Sequence, residues 1–145
     1  NRIAEHALKN KLIKEFQLVK NITPEFKYSK DTRFDFLCDK NIIEVKNVTL
    51  LRNKDLAEFP DAITTRGSKH LINLINSIEK NYKPYVLFLT QIQGISNFRI
   101  AKDIDDNYYR NYKMAKKAGV KFLAYRCALS SKEIKIEKKI NIIDE

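Results

Sequence analysis

The sequence predicts one α/β domain in which a mixed β-sheet is flanked by helices, and three observations carry that expectation. Segments with helical spacing of apolar residues alternate with short runs rich in β-branched and aromatic residues. Their order is helix, hairpin, helix, strand, helix, strand, which layers helices against a sheet. At 145 residues the chain is long enough to bury most of its apolar surface without disulfides.

Residues 2–16 read as an amphipathic helix, with Ile3, Ala4, Ala7, Leu8 and Leu12 on one stripe and Glu5 at its margin. Thr23-Pro24 interrupts the pattern, and residues 25–29 lead toward the first strand. Residues 32–38 and 42–48 then form two antiparallel arms around Asp39-Lys40-Asn41, which has turn composition. A connection of even length sets Asp35 opposite Glu44 and Arg33 opposite Lys46; an odd one breaks this register. Strand alternation then puts Phe34, Phe36, Cys38, Ile43 and Val45 on a core face. Arg33, Asp35, Leu37, Ile42, Glu44, Lys46 and Val48 fall on a mixed face with four charges at its centre.

Residues 48–59 read as irregular, and the segment FPDAITTRGSKH introduces a helix at about Ser68, striped by Leu71, Leu74, Ile75 and Ile78. Residues 85–89 form a central strand buried on both faces, with Gln91 at its polar end, and 94–103 read as a loop. A third helix covers 105–118, stopped by Gly119. Its Tyr108 and Tyr112 fit a core stripe, with base stacking as the other reading. Residues 120–129 are again a strand, and 132–138 alternate as an edge strand should. There is no internal repeat.

The net charge of +10 favours a polyanionic partner, nucleic acid first. No run approaches the ~18 apolar residues of a membrane span, and the charged N-terminus lacks a signal peptide's apolar core. Cys38 and Cys127 lie in strand-like stretches without CxxC spacing and read as buried thiols, which fits a cytoplasmic protein. The chain starts at Asn1 and not at Met, as a piece of a longer protein would.

Two readings of the hairpin stay open on spacing alone. Carboxylates directly opposite one another resist ionising together unless a cation sits between them, and Mg²⁺ takes such oxygen ligands. The diagonals Asp35 to Lys46 and Arg33 to Glu44 can instead form a salt-bridge lattice with no metal. At the second helix, an N-terminus flanked by Arg66, Lys69 and His70 is a phosphate site, or simply a capped helix with solvated bases.

An Asp on one strand followed by Glu-x-Lys on the next, here Asp35 and Glu44-Val45-Lys46, resembles the PD-(D/E)xK nuclease pattern. The longer series NRIAEHAL, TRFDFLCD, IIEVKNVTL, FPDAITTRGSKHL, LFLTQ and DIDDNYYRNYKMAKKAGVKFLAYRC resembles the sugar fermentation stimulation protein family, SfsA, over nearly the whole chain. The resemblance implies a restriction-endonuclease-like core at residues 1–145, matching the family's C-terminal domain, with the family's N-terminal OB-like domain absent from this chain. It implies DNA binding without strong sequence preference and a link to regulation of sugar, notably maltose, metabolism. Asp35 and Glu44 match the superfamily's metal-binding carboxylates and Lys46 its catalytic lysine, with Mg²⁺ or Mn²⁺ as cofactor; Glu5 corresponds to a helix acid that some members add. Arg33, Arg66, Lys69 and His70 are the nucleic-acid-binding candidates, and the role of FPDAITTRGSKHL stays unassigned. The expected reaction is hydrolysis of a DNA phosphodiester. The alternatives are a regulatory protein that binds DNA without turnover, and a metal-dependent hydrolase of some other phosphate compound.

Overall fold

The structure is a computed structural model that describes residues 1–130 and 132–144. In chain order it contains α1 (Arg2–Lys9), a 3-10 turn (Lys14–Phe16), β1 (Ile22–Lys27), β2 (Arg33–Cys38), β3 (Asn41–Val48), β4 (Leu50–Asn53) and β5 (Leu56–Phe59). There follow α2 (Thr65–Ile78), β6 (Lys83–Thr90), β7 (Asn97–Ile100), α3 (Asp106–Ala118), β8 (Lys121–Leu129), β9 (Ile134–Lys139) and β10 (Asn141–Ile142). Six strands form the main sheet in the order β1-β2-β3-β6-β8-β9, and a smaller sheet has the order β10-β7-β5-β4. The main sheet is mixed: β3, β6 and β8 run parallel, while β1, β2 and β9 add antiparallel edges. This is the α/β architecture the element order implies. Among the described residues no helix is long and apolar enough to cross a membrane.

Each face of the main sheet carries its own core. On one side Phe34, Ile42, Val48, Val86 and Phe88 pack with Leu71 and Leu74 of α2, with Tyr108 and Tyr112 of α3, and with the smaller sheet. On the other, Phe36, Cys38, Ile43, Val45, Leu87 and Leu89 pack under Ala4, Ala7 and Leu8 of α1. The face expected to be mixed is therefore a core as well, with its charges confined to one end. Phe34 belongs to the α2 side, opposite Phe36, although simple alternation puts both on one face. The break falls at Asp35, and at the neighbouring position of β1 Glu25 has a positive φ of 53°. Tyr108 and Tyr112 are fully buried, as a core stripe requires, and both cysteines are free and buried.

Other expectations are corrected. The first helix ends at Lys9, because Asn10 folds its amide back onto the His6 carbonyl and Lys11 takes φ 58°. Ile13 and Phe16 then turn inward, whereas Leu12 is left 37% exposed. The stretch 48–59 is not irregular but the β4–β5 hairpin. Residues 94–103 include β7, which pairs parallel with β5. Thr23-Pro24 lies within β1, an edge strand, where a residue without an N–H is tolerated.

Candidate active site

The β2–β3 turn holds two residues, Asp39 and Lys40, so Cys38 pairs with Asn41, Leu37 with Ile42 and Phe36 with Ile43. That is the even register, but the ladder stops there. Where Asp35 and Glu44 would pair, side chains replace the backbone bonds. The Val45 N–H donates to Asp35 Oδ2 at 2.7 Å, and the Asp35 N–H donates to Glu44 Oε1 at 3.3 Å. The strands part enough to admit two carboxylates between them. Asp35 Oδ1 also accepts from the side-chain amide of Asn1 at 2.6 Å.

The two acids are driven in opposite directions. Burial and the adjacent Glu44 carboxylate push the Asp35 carboxyl up from 3.8 to about 6. Burial also opposes ionisation of Glu44, which is 4% exposed, but its hydrogen bond to His70 and the charge of Lys46 outweigh this and hold it below the usual range. Lys46 Nζ stands 3.4 Å from Glu44 Oε2, and His70 Nδ1 stands 2.5 Å from the same oxygen. Glu44 thus meets Lys46 and His70, and among the described residues the diagonal salt-bridge lattice is not formed.

His70 comes from α2, whose start the sequence placed one turn too late. The N-cap is Thr64, whose hydroxyl accepts from the Gly67 N–H at 3.0 Å. Gly67 and Ser68 therefore lie inside the helix and are buried. Asp105, the N-cap of α3, accepts from the Tyr108 N–H at 3.0 Å and from the Thr64 N–H at 2.8 Å, so one buried carboxylate ties the two helix starts together. A Cβ on Gly67 would come within 2.8 Å of Thr64 Oγ1 and 3.2 Å of the Tyr108 ring. A side chain at this position would collide with the Thr64 cap and crowd Tyr108 of α3. The FPDAITTRGSKH segment therefore has a structural task, which is to cap α2 and aim its next turn at Glu44.

Along that turn, Arg66, Lys69 and His70 line a cleft of about 460 Å³ together with Lys30 and Arg33, and Asp31 is its one acidic residue. All four residues expected to contact nucleic acid are gathered there. Arg33, Arg66 and Lys69 are exposed, while His70 is buried. A larger cavity of about 670 Å³, near Arg99, Asp103, Asp106 and Asp144, is mixed in charge and touches none of the hairpin residues. The basic cleft, smaller than that cavity, is joined to the carboxylates through His70, which lines it and approaches Glu44.

Glu5 is not brought to the pair. It bridges to Lys9 at 2.7 Å, and among the described residues no three of His, Cys, Asp and Glu gather as metal ligands. The α1 residue that does reach Asp35 is Asn1. Sequence reasoning missed it because nothing in an amphipathic stripe singles out the cap residue. It also missed Lys30, for which only its place in the turn before β2 gave a signal. Oxygen donors from two adjacent carboxylates, one of them pushed toward protonation by burial and by the other, suit a hard divalent cation.

Residues 1–133 match the family described as "Sugar fermentation stimulation protein RE domain". The chain is 60% identical over 148 residues to a sugar fermentation stimulation protein homolog of Pelagibacter ubique, covering 99% of this chain and 64% of that protein. It is 37% identical to a homolog from Brucella anthropi, covering 98% of this chain and 63% of that one. The chain therefore spans slightly less than two thirds of the length of these relatives. A solved structure described as Pyrococcus furiosus SfsA in complex with Ca²⁺ superposes with a TM-score of 0.85 at 25% identity, over 97% of this chain and 62% of that one.

Proposed function

The chain belongs to the sugar fermentation stimulation protein family, and we propose that it is a DNA-binding protein with a restriction-endonuclease-like, PD-(D/E)xK-type core that hydrolyses phosphodiesters with Mg²⁺ or Mn²⁺. The observation that carries this reading is the pairing of Asp35 and Glu44 in a gap between strands, with Lys46 beside them and a basic cleft adjoining. Asp35 and Glu44 would hold the cation, which when bound acidifies a water and offsets charge developing on the phosphate. The relative described with Ca²⁺, a hard cation, supports that choice of ligand class. Lys46 is half-buried and fixed against Glu44, where its ammonium orients the attacking water. Arg33, Arg66 and Lys69 hold neighbouring phosphates, a contact that is sequence-tolerant and salt-sensitive. Such binding would act in sugar fermentation, the process that the family's name carries.

A DNA-binding protein that does not turn over is the second reading, and one observation favours it: the Lys46 ammonium already offsets the charge of Glu44 without a metal ion. Incubating linear and supercoiled DNA with Mg²⁺ or Mn²⁺ separates the two. Cleavage by the wild type that is lost in both Asp35→Ala and Lys46→Ala supports the enzyme. Intact DNA that is still retarded in a gel supports the binder. In either case Arg66→Ala and Lys69→Ala should weaken binding and each lower the slope of log affinity against log salt by about 1.

A further inference from the structure

We propose that His70 is a positioning residue for Glu44 and not a phosphate contact. The inference rests on the metal-site reading above but reassigns a residue that the sequence groups with the phosphate-binding bases.

Burial separates His70 from its neighbours on α2. Arg66 and Lys69 are exposed and free to follow a phosphate backbone, whereas the His70 side chain is only 10% exposed. Its Nδ1 stands 2.5 Å from Glu44 Oε2, close enough that a small turn of the ring aims an N–H on that nitrogen at the carboxylate. The ring is braced edge-on against Phe34, centroids 5.8 Å apart at 64°. Behind it, the caps at Thr64 and Asp105 and the close approach at Gly67 fix the helix itself. The imidazole therefore has one defined orientation, and it faces the carboxylate.

Glu44 needs such a partner. Its Oε1 is held by the Asp35 N–H from β2, whereas at Oε2 Lys46 stands 3.4 Å away at the end of a flexible chain. With His70 the carboxylate is gripped from two elements, one oxygen by β2 and the other by α2. A ligand held this way presents its free lone pairs to a cation without losing rotamer freedom on binding, which is what partners of metal ligands supply.

The test uses three replacements. His70→Asn puts an amide N–H near the position of Nδ1, His70→Phe keeps the ring but removes the donor, and His70→Ala removes both. Mn²⁺ binding is measured by calorimetry, and metal-free retardation of a DNA duplex is measured beside it. The expected result is a 10- to 100-fold loss of Mn²⁺ affinity, roughly, in His70→Phe and His70→Ala, with His70→Asn within about threefold of wild type. Metal-free DNA binding should stay unchanged in all three, in contrast to Arg66→Ala. Equal Mn²⁺ affinity in wild type and His70→Phe, an Asn variant as impaired as the Phe one, or DNA binding lost as in Arg66→Ala would overturn the proposal. If the wild type itself binds no Mn²⁺, the metal-site reading fails, and crystal structures of the variants decide the His70 role on their own. A Glu44 carboxylate displaced in His70→Phe and held in His70→Asn supports it; one unmoved in both refutes it.

Discussion

Asp35 makes a measurable stability prediction that needs neither DNA nor catalysis. In the native state burial and Glu44 raise its carboxyl from 3.8 to about 6. Below pH 4 the group is protonated in both folded and unfolded chains and costs nothing. Between about pH 4 and 6 the unfolded chain releases the proton first, so the native state loses stability as pH rises. Above about 6 both forms are ionised and the loss is constant. At 1.36 kcal/mol per pH unit the full difference is about 3 kcal/mol, and because Asp35 is only half-buried, solvent screening brings it to about 1–2 kcal/mol.

Asp35→Asn mimics the protonated acid. Its carbonyl oxygen accepts from the Val45 N–H and its amide donates toward Glu44. Urea denaturation in EDTA should therefore find the variant about as stable as wild type at pH 4 and more stable by about 1–2 kcal/mol at pH 7.5, with the gap opening between about pH 4 and 6. A variant less stable than wild type at pH 7.5 would refute the account of two carboxylates in conflict. So would a gain of equal size at both pH values, since that would locate the effect outside Asp35 ionisation.

Two further outcomes test the scaffold. Asp105→Ala removes the acceptor of both the Thr64 and the Tyr108 N–H and should cost about 1–2 kcal/mol in chemical denaturation, with loss of order at the start of α2 seen by amide exchange. Glu58 is buried between Arg52 at 2.8 Å and Arg99 at 3.1 Å, and hydrogen bonding from Arg52 keeps its carboxyl below the usual range. Glu58→Ala should cost toward the low end of about 3–5 kcal/mol because both guanidinium groups stay about a third exposed, and its effect should vanish at a pH low enough to protonate Glu58 in wild type.

The elements legible in the sequence are those whose signals are local. Helix α3 covers all but the first residue of its predicted span, Asp105 serving as its N-cap, and stops at the predicted Gly119, which adopts φ 118°. The unbroken apolar run of β6 lies between β3 and β8, as a central strand should. The hairpin was likewise readable, with its register left to the length of the turn, which proves to be two residues. What was not legible depends on distant partners. Strands β4 and β7 have four residues each, too short for a period to emerge, and they exist because β5 lies between them. Thr64 reads as a cap only once Asp105, 41 residues on, has claimed its N–H.

The misplacement of Phe34 has a different origin, and it bears on function. Alternation along β2 holds from Phe36 to Cys38 and fails across Asp35, where the backbone ladder gives way to carboxylates that accept strand N–H groups. A strand optimised for pairing would put Val or Thr there and keep its ladder. This one instead gives up backbone pairing and sets two acids side by side, one of them with its carboxyl pushed up to about 6. Nothing in packing explains that choice, since both cores are complete on either side of it. Local rules are broken at sites where another requirement outweighs stability. The break at Asp35 therefore points to a ligand for the pair of acids more directly than the short D…ExK motif does.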